Sequence, residues 1–431
     1  MTVASALDLS LLPEGATVDP AGAVSIGGVE LADLAQEYGT PLFVYDEEHL
    51  RARCRQAVSS WGPGVAYGTK AFLCKAMASL VCEEGMDLDV ATGGEMHVAL
   101  AAGVPASRLV FHGNNKSTAE LNMALEAGVG AIVIDSFDEI DRLESLLAGR
   151  DPSSPFLPRV LARITPGIEA HTHEYVMTGQ DDSKFGFGLA HGAAERAVER
   201  LARSKLLNLV GIHAHIGSQI FDVEPYVRQV EVMAEFFKPL GLSELVVGGG
   251  LGVAYVANES APSMAEWAQA VQAAALACGI SPETRITAEP GRAIVAQAGV
   301  TLYTVGTIKE LPGLRTYVSV DGGMSDNPRP VLYGSGYEAF LVRDVRAERP
   351  KTVTVVGKHC ESGDVLVRDA QVPQDIAVAD VLATPVTGAY GHSMASNYNK
   401  VTRPAVVFVA GGNARVVVRR ETYADLVALD V

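Results

Sequence analysis

The sequence predicts an α/β architecture: a (β/α)8 TIM-like barrel followed by a C-terminal, mainly β domain. Three observations carry this. From about residue 41 to 295, short apolar runs alternate with amphipathic helical patterns. The first four runs recur about every 22 residues, the size of one βα unit, and there are eight of them. After residue 295 the helical patterns fade, and segments rich in β-branched residues take over. A chain of 431 residues exceeds what one core normally serves, so two domains are expected.

The strand candidates, in order, are VAYGTK (65), LDVAT (88), LVFHGN (109), AIVIDS (131), RVLARI (159), LVGIHAHIG (209), LVVGGG (245) and ITAEPG (286). Between them, STAELNMALEAG reads as an amphipathic helix closed by a glycine, and GGEMHVALAAG and FDEIDRLESLLAG are built the same way. The β segments are VTLYTVGTI (300), RTYVSVDGG (315), KTVTVVGKH (351) and AVVFVAGGNARVVVRRE (405), with a short helical pattern, ETYADLVAL, at 421. Residues 1–40 form an N-terminal segment too short for a domain; AVSIGGVELADLA within it is expected to pack with the β domain and add a strand. The expected boundaries are therefore 1–40, 41–295 and 296–431.

Composition excludes several classes. A net charge of −17, from 34 basic and 51 acidic side chains, repels nucleic acid and anionic membranes. Any anionic ligand must be held by locally placed cations or backbone amides. Five cysteines, odd in number and without a CxxC pair, argue against a disulfide framework or a zinc site and for a reducing cytosol. MTVASALDLS lacks the basic and apolar regions of a secretory leader. No apolar run reaches the roughly 18 residues of a membrane helix.

In a barrel the chemistry sits at the C-terminal ends of the strands. Those ends carry Lys70, Asp89, His112 with Asn114, Asp135, Arg163, His215 with Ser218, Gly248-Gly249-Gly250, and Glu289 with Arg292. Taken singly, each has an ordinary explanation: a solvated lysine, a satisfied core histidine, a tight glycine turn. Jointly they are harder to dismiss. Glycines after strand seven and Glu-Pro-Gly-Arg after strand eight sit where barrels often bind phosphate. A strand-end lysine beside a phosphate site suggests pyridoxal phosphate held as a Schiff base, which favours a buried lysine with a lowered pKa. Strand eight closes against strand one, so Glu289 is placed to meet the ring nitrogen and keep it protonated. That suits decarboxylation.

These residues resemble the fold-type III pyridoxal-phosphate-dependent decarboxylases, in their diaminopimelate branch. The shared stretches are YGTKA (67), HTHEYVMTGQDDSKFGF (171), HAHIGSQ (213), GGGLG (248), EPGR (289), DGGMSDNPRPVLYG (321), CESGD (360) and TGAYGHSMASNYN (387), and the likeness runs from PLFVYD at 41 to RPAVVFV at 403. The resemblance implies that Lys70 carries the cofactor and that Asp89, His215, Ser218, Gly249, Gly250, Glu289, Gly291, Arg292 and Tyr390 contact it. His215 would stack on the ring, and Glu289 would face its nitrogen. Arg292, Arg329, Tyr333, Glu361 and Tyr390 would contact the substrate, and Cys360 would act in catalysis from a loop reaching the active site of the other subunit of a homodimer. On residues alone, CESGD reads as a polar turn and Arg329 as a surface charge.

The implied reaction is release of carbon dioxide from meso-2,6-diaminopimelate to give L-lysine. The distal end of that substrate needs cations for its carboxylate and an anion for its ammonium, which Arg292, Arg329 and Glu361 supply. Ornithine-type relatives place an aspartate after the loop cysteine; here Glu361 follows Cys360. Racemase relatives pair the ring nitrogen with arginine, and Glu289 argues against them. Decarboxylation of another basic amino acid or a carboxylated polyamine stays the alternative, and a catalytically inactive binding relative is the reading from another class. Two departures from the pattern stand out: Gly357-Lys358-His359 before the cysteine, and His392 after TGAYG.

Overall fold

The computed structural model describes residues 6–148, 157–168 and 183–431. Of the stretch at 171–187, residues 171–182 lie outside the described residues. The chain divides into two compact units, Cys54–Gly252 with Ala261–Ala293, and Met1–Arg53 with Val253–Ser260 and Ile294–Val431.

The first unit is the barrel. Its strands are β1 (Ala66–Gly68), β2 (Asp87–Val90), β3 (Leu109–Phe111), β4 (Ala131–Ile134), β5 (Arg159–Thr165), β6 (Asn208–His213), β7 (Glu244–Val246) and β8 (Arg285–Thr287). Each pairs in parallel with the next, as in Tyr67 with Leu88, Ile132 with Val160, and Leu245 with Ile286. The ring closes where Ala66 N–H donates to Ala288 O (3.0 Å) and Gly68 N–H to Pro290 O (3.1 Å). Ala131, Val133, Leu161 and Val246 fill the interior as one buried layer. Its alternating, small-to-medium side chains are what a packed barrel centre requires.

Local rules explain the helices. Thr118–Ala127 starts with a capping box, Ser117 and Glu120, and ends at Gly128, left-handed at φ 74°. Phe137–Leu147 is capped by Ser136. The strands are shorter than the apolar runs. β6 stops at His213 and β7 at Val246, because Gly217 (φ 151°), Gly248 (φ 73°) and Gly250 (φ 108°) turn the chain out of the sheet.

A buried ion pair ties two loops at this end of the barrel. Lys116 Nζ donates to Glu139 Oε1 and to the carbonyls of Gly113 and Val133, each at 2.7 Å. Glu139 Oε2 accepts the Asp135 N–H (3.1 Å). Their side chains are 0% and 1% exposed, so neither charge has water as an alternative partner.

The second unit is mainly β, and it differs from expectation at its edges. Leu42–Asp46 was placed at the start of the barrel segment. It pairs instead with Gly299–Leu311, antiparallel, and with Ala405–Ala410, parallel. All five residues of LFVYD are buried, so the run lacks the alternation that would have told one sheet from another. The barrel unit accordingly begins at Cys54, not at residue 41. Residues 17–30 form a separate three-stranded sheet rather than adding a strand to the large one. Val24 N–H still reaches Val342 O (3.4 Å) within the same unit. Gly299–Leu311 is the hub, also pairing with Val381–Pro385 and Arg315–Val320. ETYADLVAL yields only a 3-10 turn at Asp425–Val427. With Tyr423 and Leu429 83% and 95% exposed, no buried face stabilises a longer helix.

Glu139→Ala leaves the Lys116 ammonium buried without its counter-charge. Urea unfolding should show a loss of about 3–5 kcal/mol, partly recovered when Lys116→Met is added. A loss of under about 1 kcal/mol would mean that water replaces the carboxylate.

Candidate active site

The polar strand ends converge at the C-terminal mouth of the barrel. Lys70 lies in the 3-10 turn Thr69–Ala71 after β1, and its side chain is exposed, not buried as the Schiff-base argument preferred. Thr69 Oγ1 ties this turn to β2 by donating to Asp89 O (2.7 Å). The closing hydrogen bond from Gly68 to Pro290 brings the lysine turn beside the loop that carries Glu289.

Glu289 is the buried charge of this mouth. His213 Nε2 lies 2.8 Å from Oε2, and His112 Nε2 lies 3.0 Å from Oε1. The two imidazoles meet edge to face, centroids 4.9 Å apart. His112 also approaches Asp89 Oδ1 at 3.6 Å. Burial alone would raise the Glu289 carboxyl, but the two histidines outweigh it and hold it well below the ordinary carboxylate range. Burial opposes charge on His112, yet Asp89 and Glu289 prevail and raise its pKa. His213 is lowered, by burial first. Burial, against the pull of His112, pushes Asp89 up to about 6. His112, His213 and Glu289 are close enough to share a metal ion. Both imidazole nitrogens already sit at hydrogen-bonding distance from the carboxylate, so the set reads as a clamp on Glu289.

The glycine corner lies beside it. A Cβ on Gly249 would sit 2.3 Å from Glu289 O, and one on Gly250 would sit 2.3 Å from Gly217 O. Only glycine allows β7, the 217 loop and the 289 loop to approach so closely. The Gly249 amide, expected to point at an anion, donates instead to His215 Nδ1 (3.1 Å). That bond fixes the ring of His215, and burial together with the nearby Lys70 charge lowers its pKa well below the ordinary value. Arg292 Nη2 donates to Ser218 Oγ (3.0 Å), so a guanidinium and a hydroxyl sit together, with Gly291 packed on the Gly68 carbonyl.

The remaining expected residues lie in the β unit. Arg329 is no surface charge: it is 4% exposed. Its guanidinium lies over the Tyr255 ring (4.3 Å) and donates to Tyr337 Oη (3.0 Å) and Ser335 Oγ (3.1 Å). Arg329 Nε is buried without a hydrogen-bond partner. Tyr333 is half-buried on the same short helix, Arg329–Tyr333. Cys360 and Glu361 are exposed on a well-anchored loop. The Asp364 carboxylate accepts the N–H groups of Met324 (2.6 Å) and His359 (2.8 Å), and Cys360 N–H donates to Asn399 Oδ1 (3.0 Å). His359, a departure from the family pattern, has its Nε2 2.8 Å from Ser325 Oγ. Tyr390 is half-buried at φ 59°. Burial pushes His392, the other departure, down to about 4, and its ring meets Phe43 edge-on at 5.7 Å.

Sequence reasoning named His112 without a role and passed over His213, Tyr255 and Tyr337. A signal existed for His213: it stands two residues before His215 at the end of β6. Nothing local marks Tyr255 or Tyr337, which reach Arg329 from distant parts of the chain.

Comparison with known proteins agrees with this geometry. The family described as pyridoxal-dependent decarboxylase, pyridoxal binding domain, matches residues 47–296. Diaminopimelate decarboxylase of Mycobacterium tuberculosis (strain ATCC 25618 / H37Rv) is 48% identical over 97% of this chain and 97% of its own length. That of Bacillus subtilis (strain 168) is 49% identical over 95% of each. The crystal structure of diaminopimelate decarboxylase from M. jannaschii in complex with L-lysine covers 97% of this chain and 98% of its own, at 31% identity and a TM-score of 0.89. With identities near half over almost the full length, the chain belongs to the diaminopimelate decarboxylase family of pyridoxal-dependent decarboxylases.

Proposed function

We propose that this chain removes one carboxylate of meso-2,6-diaminopimelate as carbon dioxide and yields L-lysine, the last step of lysine biosynthesis. The observation that carries the reading is the closure of the barrel. It sets an accessible lysine beside a buried carboxylate held ionised by two imidazoles. That is the pair a pyridoxal cofactor requires at its two reactive ends, an amine for its aldehyde and an anion for its ring nitrogen. The Ser218 hydroxyl and the Arg292 guanidinium, 3.0 Å apart, support a phosphate site, and Gly249, Gly250 and Gly291 let the loops that carry them pack closely together.

Bound pyridoxal phosphate supplies the electron sink that takes up the pair left when carbon dioxide departs. The chain does the rest. Lys70 Nζ anchors the cofactor. Glu289 accepts the hydrogen bond of the ring nitrogen, and His215, its Nδ1 engaged by Gly249, presents a fixed ring face. Asp89 adds negative charge at the same end. Arg329, Tyr333, Arg292 and Tyr390 take substrate carboxylates. The unpartnered Nε of Arg329 supports this, because a carboxylate would satisfy it and extend a fork-to-fork pair. Glu361 takes the distal ammonium, and Cys360 Sγ delivers the proton that replaces the carboxylate.

The protein works as a homodimer in which Cys360 and Glu361 serve the partner's barrel, and it works in a reducing cytosol. Cys54, Cys74, Cys82, Cys278 and Cys360 are thiols rather than disulfide halves, which supports the compartment, and no helix among the described residues is long and apolar enough to cross a membrane.

Offered meso-diaminopimelate, ornithine, arginine and lysine side by side, the purified protein should release carbon dioxide fastest from the first, with L-lysine as product. Preference for ornithine would overturn the substrate assignment.

Lys70→Ala should abolish turnover. Borohydride reduction of the wild type, followed by peptide mapping, should put the pyridoxyl label on Lys70; a label on another lysine would sink its role.

Mixing inactive Lys70→Ala and Cys360→Ala chains under verified subunit exchange should restore activity to about a quarter of all sites, since half the dimers are then mixed and each holds one intact site. No recovery would mean that each site is built from one chain.

A further inference from the structure

The two imidazoles around Glu289 are more than packing. Each carboxylate oxygen faces its own imidazole nitrogen: His213 Nε2 hydrogen-bonds Oε2 at 2.8 Å, and His112 Nε2 lies at ion-pairing distance, 3.0 Å, from Oε1. The histidines arrive from different strands, at the ends of β6 and β3, so the carboxylate is gripped from two sides of the barrel. His213 Nδ1 is buried and without a hydrogen-bond partner. Were His213 a cation, that nitrogen would carry a buried N–H with nowhere to donate, at a cost of about 1–3 kcal/mol. His213 is therefore the neutral tautomer whose one N–H, on Nε2, points at Glu289. His112 stands between two carboxylates, Asp89 at 3.6 Å and Glu289 at 3.0 Å, a position that favours the cation.

We propose that His213 and His112 are positioning residues which lock Glu289 as an oriented, ionised acceptor and thereby keep the proton on the cofactor's ring nitrogen. The proposal rests on the reading that Glu289 faces that nitrogen. A buried carboxylate without donors would take up a proton, and a neutral carboxylic acid could no longer stabilise a protonated ring. The sum of charges fits. Asp89 and Glu289 as anions with His112 as a cation leave one net negative charge, which a ring N–H⁺ neutralises. The other charged or titratable groups facing the cluster are Lys70 after β1, Arg163 on β5 and His215 after β6, with Glu95 facing Asp89. Arg163 is itself balanced by Asp135 at 3.6 Å.

The test compares wild type, His213→Leu, His213→Gln, His213→Asn and Glu289→Gln. For each, cofactor-free protein is titrated with pyridoxal phosphate by fluorescence quenching. The absorbance of the bound cofactor is followed from about pH 6 to pH 9, spanning the neutral range in which the clamp must act, and kcat is separated from KM. His213→Leu should lower kcat about 10- to 100-fold while KM moves less than about threefold, and should change the pH profile of the cofactor absorbance. Gln places its amide N–H where Nε2–H was and should restore kcat to within about fivefold of wild type. Asn stops short of Oε2 and should behave like Leu, so it decides the question if the Leu variant does not fold. Wild-type kcat and absorbance profile in the Leu or Asn variant would overturn the proposal, and so would Gln performing no better than Leu in folded protein. If Glu289→Gln itself leaves the absorbance profile unchanged, the assignment of Glu289 fails; if only the histidine variants are silent, the clamp fails and Glu289 stands.

Discussion

Two backbone hydrogen bonds, from Ala66 to Ala288 and from Gly68 to Pro290, join the first barrel strand to the last. Every functional reading of the barrel depends on them. Lys70 and Glu289 are 219 positions apart in the numbering of the chain. Only ring closure makes their loops neighbours. The same closure explains the small residues at the seam. Gly291 faces the Gly68 carbonyl so closely that an added Cβ would lie 2.9 Å from it. A side chain there would push apart the two elements that the proposed chemistry needs together.

The second constraint is electrostatic. A protein carrying −17 net charge has no general attraction for a phosphate or a dicarboxylate. Local structure must supply any such attraction, and buried cations whose hydration has already been given up are suited to it. Arg329 is stacked on Tyr255 and tied to Tyr337 and Ser335, so its guanidinium is oriented before any ligand arrives. Such preorganisation lowers the ordering cost of binding. Anions are treated in the same way. Glu289 is kept ionised by its histidines, and Asp364 spends its carboxylate on the backbone that leads into Cys360. The loop is thus exposed but not slack.

The lysine shows how the two constraints divide the work. Lys70 stands exposed while Glu289, His112 and His213 are buried. In the proposed chemistry, an amine that forms and gives up a covalent bond has to be reachable, whereas the carboxylate and imidazoles that would set proton positions must be dry. Burial strengthens the latter interactions and would have hindered the former.

The alternation of strands and helices, the capping of Thr118–Ala127 by Ser117 and Glu120, and the polar endings Lys70, His215 and Glu289 are legible in the amino-acid order, because period, caps and turn glycines are local properties of the chain. That order also carries the family, through motifs that stay contiguous. Tertiary structure alone decided which sheet takes LFVYD, since a run buried on both faces carries no phase. It decided that Gly249 serves His215, that Arg329 is buried under Tyr255, and that His112 and His213 share one carboxylate. Each of these joins residues from separate elements at distances near 3 to 4 Å. No periodicity records such meetings, because they arise only when eight strands close into a ring and a thirteen-residue strand, Gly299–Leu311, gathers the sheet around itself.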